Sequence, residues 1–300
     1  MQLFQESCYI REAPAYDVQA ARCYIPLMPV LRNLADSLPS EKEKNTLTFF
    51  GPRIPSRKMQ ERLSFEIGKL SADRHKVSLI LADPEARSGF SFRSDEMMCC
   101  QSTVKAIYAG ALVETRPEAL AENGRLLRDA IVLSDNDAYA RLREIYGPEP
   151  MERWCAEAGV DPGFAVPLYP RDRTARDMFK MWTRLYCFLN LDTTGFAAYY
   201  ADSIASATRS QLTLPLQSKA GWEHGLEEER LFDLSEIPLQ YRDGNPLNDE
   251  CAINDTGIVY TEHGPYIFVI YTDHPYSAVE GCPNPLCDLV RALYAADLSL

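Results

Sequence analysis

Ser102 and Lys105 stand three residues apart in the stretch CCQSTVKAIYAGALVE, which runs from Cys99 to Glu114. The stretch opens on small polar residues and continues as an apolar helical run. The serine therefore falls at a helix start and the lysine one turn along. Residues three apart on a helix share a face. A serine hydroxyl is a weak nucleophile at neutral pH and needs a neighbour that takes its proton. A lysine whose ammonium form is disfavoured by burial and by another cation can be that neighbour. The N–H groups of the helix start stabilise developing negative charge. The arrangement suits nucleophilic catalysis; the same spacing also suits a capping serine with a solvated lysine.

Two further groups have the residue types such chemistry needs. Ser134-Asp135-Asn136 lies where the helix-like LLRDAIVL meets the helix-like AYARLREIYG. Serine, aspartate and asparagine are also the favoured residues of turns and N-caps. Lys219-Ala220-Gly221 falls on a predicted strand, where a glycine permits close approach of a ligand or another backbone. The alternative for that strand is a sheet edge protected by its lysine. The chain carries these groups in the order S-x-x-K, S-D-N, K-x-G.

The elements that must position them follow from pattern. MQERLSFEIGKLS has apolar residues at helical spacing, and KVSLILADPEARSGFSFRSDE reads as two strands joined by a turn from Asp83 to Gly89. A run of helices follows, among them TARDMFKMWTRLYCFLN, where Thr174 and Asp177 suit a capping box. Its Phe179, Trp182 and Tyr186 keep the helical spacing of core residues. FAAYYADSIASATR is a further amphipathic segment. The chain then returns to strands in LQSKAGWEH and in a hairpin, DTGIVYTEHGPYIFVIYT, with His263 at its tip. PLCDLVRALYAADL closes the chain with helical periodicity.

This order predicts an α/β (α+β) fold: one antiparallel β-sheet, built from both ends of the chain and flanked by helices, with an inserted all-helical lobe. The site would lie in the cleft between sheet and lobe. Residues 1–57, with helix-breaking Pro26 and Pro29, a polar PSEKEKN linker and a turn-rich FFGPRIPSRK, read as an N-terminal extension. Residues 58–300 form the main domain, with an α/β lobe at 58–95 and 215–300 and a helical lobe at 96–214.

Composition excludes several classes of partner. Of 300 residues, 46% are hydrophobic and 25% charged, as in a globular chain with a sizeable core, and the net charge is −12. Such a surface repels nucleic acid and anionic membrane. No run is long enough and apolar enough to span a bilayer. MQLFQESCYIREAP has neither the basic nor the apolar region of a signal peptide. The nine cysteines form no C-x-x-C, and the four histidines are scattered, so neither a zinc site nor any other metal or cofactor is expected. Cys187 and Cys100 read as small packing residues in a chain of reduced thiols. The expected partner is a small-molecule or peptide-like substrate, met by a monomer.

The three groups in this order resemble the serine β-lactamase and penicillin-binding-protein superfamily, and within it class A β-lactamases and their serine-hydrolase relatives. The resemblance covers roughly residues 58–300. It implies that Ser102 attacks the carbonyl of a β-lactam or related amide or ester and becomes acylated. Lys105 would be the base or part of the proton network, and Ser134 would relay a proton to the leaving nitrogen. Asn136 would bond the substrate's side-chain amide. Lys219 would add positive potential for Ser134 and for a substrate carboxylate, with Gly221 on the same substrate-binding strand. The backbone N–H groups of Ser102 and Trp222 would form the oxyanion hole.

Two departures from the family pattern bear on substrate and rate. Ala220 stands where the family has threonine or serine, which removes a hydroxyl that holds the substrate carboxylate. Arg242 is the candidate replacement. The segment GVDPGFAVPLYPRDR, from Gly159 to Arg173, carries no glutamate and no E-x-x-L-N motif to activate the deacylating water. Of its two acids, Asp161 and Asp172, the latter is expected to anchor the loop by pairing with Arg171 or Arg173. The alternatives to rapid hydrolysis are a slow, penicillin-binding or D-Ala-D-Ala-peptidase-like acylator, or a non-catalytic binding module on the same fold.

Overall fold

Near-continuous apolar runs in VSLILAD and GPYIFVIYT give each strand two buried faces, so the central sheet needs a helical layer on both sides. A computed structural model describes residues 38, 46–71, 75–168, 172–191, 195, 197, 200, 216–223, 252–261 and 264–273. Its strands are β1 (Thr48–Phe50), β2 (Val77–Asp83), β3 (Ser88–Phe92), β4 (Met97–Cys99), β5 (Asp172–Thr174), β6 (Leu216–Glu223), β7 (Ala252–Thr261) and β8 (Gly264–Thr272). Its helices are α1 (Arg57–Leu70), α2 (Val104–Thr115), α3 (Glu118–Arg128), α4 (Asn136–Tyr146), α5 (Glu149–Ala158) and α6 (Ala175–Leu191).

Six strands form one antiparallel sheet in the order β1-β3-β2-β8-β7-β6. Strands from the two ends of the chain meet where β2 pairs with β8. Leu79, Phe90, Phe268 and Ile270 bury one face against Leu63, Ile67 and Leu70 of α1. Ile80, Ala82, Ile267, Val269 and Tyr271 bury the other against the helical lobe, including Met178, Phe179 and Trp182 of α6. The aromatic spacing on α6 is thus core, as read. Thr174 accepts a hydrogen bond from the Asp177 N–H at 3.0 Å, which supplies the threonine half of the expected cap.

Three strands of only three residues carry no readable alternation. β1 overlaps the start of the segment read as turn-rich, and joins the sheet edge by pairing with β3. β4 and β5 make a two-stranded ribbon at the base of the helical lobe, pairing Cys99 with Asp172. That ribbon ties the end of the Gly159–Arg173 loop to the segment that leads into Ser102.

α2 is the axis of the lobe: every residue from Val104 to Val113 is buried. Gly110 lets α5 and α6 close on it, because a Cβ there would lie 2.9 Å from Leu185 and 3.0 Å from Trp154. The predicted strand LQSKAGWEH corresponds to β6, and the hairpin to β7 and β8. His263, Arg242, the closing helix, and most of FAAYYADSIASATR lie outside the described residues. Among the described residues no helix is long and apolar enough to cross a membrane.

Candidate active site

Ser102 lies on a single 3-10 turn, Gln101–Thr103, that leads directly into α2. The preceding Gln101 has φ 49°, a left-handed conformation that costs a non-glycine residue about 1–3 kcal/mol and persists only when its surroundings impose it. Here β4 and the start of α2 hold both ends of the turn. Cys100 is fully buried and its thiol is pushed well above the usual range by that burial, then by Cys99, so it packs and does not ionise.

Lys105, on the first turn of α2, is 1% exposed. Its Nζ donates to the Ser134 carbonyl at 2.6 Å, to Asn136 Oδ1 at 2.6 Å and to Ser134 Oγ at 3.4 Å. It also lies 5.9 Å from the centre of the Tyr139 ring. These bonds run to the Ser134–Asn136 turn and not to Ser102. Burial lowers the Lys105 pKa to about 8, with Asp135 pulling the other way. A lysine so placed is neutral in a substantial fraction of molecules near pH 8 and can accept a proton there.

The turn that meets it is shaped by its own sequence. After α3 the chain widens into a π-type turn, Asp129–Leu133, and Ser134 adopts a left-handed conformation with φ 58°. Asp135 caps α4 by accepting from the Ala138 N–H at 2.9 Å. The serine carbonyl and asparagine side chain are thereby turned towards Lys105.

β6 runs beside the 3-10 turn of Ser102, and β7 touches the same turn. In register, Lys219 lies opposite Thr256, Gly221 opposite Asn254 and Trp222 opposite Ile253. The strand that carries Lys219–Trp222 therefore packs beside the turn of Ser102, while Lys105, Ser134 and Asn136 form one bonded cluster. The sequence reading expected these groups in one cleft; the structure bonds Lys105 to Ser134 and Asn136 and brings β6 and β7 against the turn of Ser102.

The loop after α5 departs from expectation in its anchor. Arg173 donates to the main-chain carbonyls of Gly163, Phe164 and Asp172 at 3.4, 3.2 and 2.6 Å, and stacks 4.8 Å from the Phe164 ring centre. It makes no ion pair with the Asp172 carboxylate, because the pairing of β5 with β4 sets Asp172 at the ribbon edge. Arg171 lies outside the described residues. Buried Arg143 of α4 supplies the second anchor, donating to the carbonyls of Ala165 at 2.6 Å and Val166 at 3.3 Å. Asp161 is spent on its own turn, accepting from the Gly163 N–H at 2.8 Å. Sequence reasoning passed over Arg143, Gln101 and Asn254. Asn254 opens the polar Asn254-Asp255-Thr256 stretch near the start of β7, which marks no single residue.

Comparison of the sequence with curated proteins gives no match. Among solved structures, the fold is similar to a β-lactamase from Chitinophaga pinensis DSM 2588, with a TM-score of 0.59 at 13% identity over 80% of this chain and 99% of that one. It is similar to the TLA-3 extended-spectrum β-lactamase, at 0.57 and 12% identity over 78% of this chain and 98% of that one. An ancestral (GNCA) class A β-lactamase gives 0.54 and 16% identity over 79% of this chain and 99% of that one. At such identities the likeness carries the fold alone. The family itself rests on the sequence, where the model for the β-lactamase enzyme family matches residues 71–285. That span takes in the helical lobe, the converging turns and most of the sheet, and the chain accordingly belongs to the β-lactamase enzyme family, as a β-lactamase-like hydrolase.

Proposed function

We propose that the chain is a serine acyl-transfer hydrolase in which a β-lactam, or a related amide or ester, acylates Ser102 and is released slowly. The observation that carries this reading is the buried Lys105 ammonium bonded to both Ser134 and Asn136 at the foot of the Ser102 helix.

The steps balance as follows. Neutral Lys105 takes the hydroxyl proton as Ser102 Oγ forms a bond to the carbonyl carbon. The carbonyl electrons move to oxygen, where the N–H groups of Ser102 and Trp222 stabilise the anion. As the oxyanion collapses, the carbon–nitrogen bond breaks and Ser134 passes a proton to the leaving nitrogen, replenished from Lys105. Asn136 orients the substrate amide, and Lys219 with Gly221 lines the strand side. Water then cleaves the ester and restores the hydroxyl. Positioned general-base help is worth about 10²–10⁴ in rate. The Gly159–Arg173 loop offers no glutamate for that second half, and its described acids are a turn cap and a ribbon residue. Deacylation is therefore the slow step, which favours the slow-acylator reading over rapid turnover.

A chromogenic cephalosporin tests this in one assay. The expected record is a burst of about one equivalent followed by a slow phase, absent in Ser102→Ala. Linear turnover from the first instant, with no burst, contradicts slow release. The burst rate should also rise with pH and level off above about 8, since Lys105 acts as base only after losing its proton. A burst rate flat from pH 6 to 9 removes Lys105 from the base role.

A further inference from the structure

Asn254 is 0% exposed and lies at the crossing of three elements. Its Nδ2 donates to the carbonyl of Cys99, the last residue of β4, at 2.6 Å. Its Oδ1 accepts from the Thr272 N–H of β8 at 3.0 Å. Its main chain stands opposite Gly221 of β6, next to Trp222. The register between β7 and β8 ends at Asp255 and Ile270, and beyond that point the Asn254 side chain serves Thr272 in place of a main-chain carbonyl.

The oxyanion donors assigned above come from Ser102 and Trp222, on segments far apart in the chain. Their separation must be set by something that touches both segments. The bond to Cys99 is made just before the left-handed Gln101, and the pairing with Gly221 just before Trp222. We propose that Asn254 is a positioning residue whose carboxamide holds the Ser102 turn against β6, so that both N–H groups face one oxygen. This rests on the acyl-transfer reading of Ser102. The task requires one donor and one acceptor on the same buried, uncharged group, which an asparagine supplies. An ionised aspartate offers only acceptors, and a leucine offers neither; a protonated aspartic acid again offers both.

The test compares wild type, N254D and N254L by the acylation rate and half-saturation of a cephalosporin, from pH 5 to 9, at a temperature where melting curves show each folded. Loss of one oxyanion donor typically costs about 10²–10³ in rate. N254L should lose about that much at every pH, with half-saturation little changed. N254D should match it at high pH and recover towards wild type as pH falls and the introduced carboxyl gains its proton. Asp255, Cys99, Asp172, Lys105, Lys219 and Asp273, on the elements around the site, are the same in all three proteins, so the ratio to wild type cancels their titration. A boronic acid that adds to Ser102 gives a second readout: its affinity should fall in N254D at high pH and recover at low pH. Wild-type rates in both variants, or a loss of melting temperature without loss of rate, overturn the positioning role. No adduct on the wild type overturns the acyl-transfer reading, and this inference with it.

Discussion

Replacing Lys105 with methionine should slow acylation of Ser102 by about 10²–10⁴-fold, the usual worth of a positioned base. Methionine keeps the length and apolar stem of a side chain that is 1% exposed, so the packing of α2 is preserved. What disappears is the amine that donates to the Ser134 carbonyl and to Asn136 Oδ1. The rise of rate with pH towards about 8 should vanish with it, because that limb is the deprotonation of Lys105. Stopped-flow burst rates from pH 6 to 9 check both effects. A variant within threefold of wild type, or one that keeps the pH limb, places the base elsewhere. Asn136 sits on the edge of α4 and can bond water once Lys105 is gone. The fold should therefore hold, and circular dichroism should match wild type.

Replacing Arg184 with leucine should destabilise the protein by about 3–5 kcal/mol, the usual cost of removing one partner from a buried ion pair. The Arg184 side chain is 2% exposed and lies between two carboxylates, with Nε donating to Glu157 at 2.8 Å and Nη2 to Glu114. Its guanidinium stacks 4.6 Å from the Trp154 ring centre, and the Trp154 indole N–H bonds the same Glu114 oxygen at 2.6 Å. Burial alone would raise the Glu157 pKa, but Arg184 and then Arg153 hold it below the usual carboxylate range. A carboxyl held low contributes stability at neutral pH that is lost as pH falls through its folded pKa. R184L should therefore lose melting temperature on the order of 10 °C at pH 7 and less in acid, where protonated Glu157 no longer needs the cation. Adding E114Q and E157Q to R184L should recover most of the loss at pH 7. If R184L melts within 2 °C of wild type at pH 7, the cluster is not holding the lobe.

The legible parts of this molecule are those whose signal lies within a few residues. Ser102 and Lys105 share a helix turn, Ser134-Asp135-Asn136 marks a break between helices, and VSLILAD and YIFVIYT are apolar runs rich in β-formers. Each could be read from spacing, and their order along the chain led to the family and the fold. The illegible parts depend on partners distant in sequence. Arg143 grips carbonyls of a loop more than twenty residues away, and main-chain carbonyls carry no residue-type signature. Arg184 finds Glu114 seventy residues back. β4 and β5 are too short for alternation and exist because they find each other. Asp172 was read by its neighbours in sequence, and its main chain pairs with Cys99, a residue more than seventy places away. Asn254 works through atoms of Cys99 and Thr272 that any residue would supply.

The central claim is that a hydroxyl on the turn before α2 is the group that becomes acylated. Incubation with a β-lactam, followed by proteolysis and mass mapping of the modified peptide, measures this directly. The account predicts one acyl group per chain, on Ser102, and none in Ser102→Ala. An acyl group on any other residue of the wild type, or one that persists in Ser102→Ala, contradicts it.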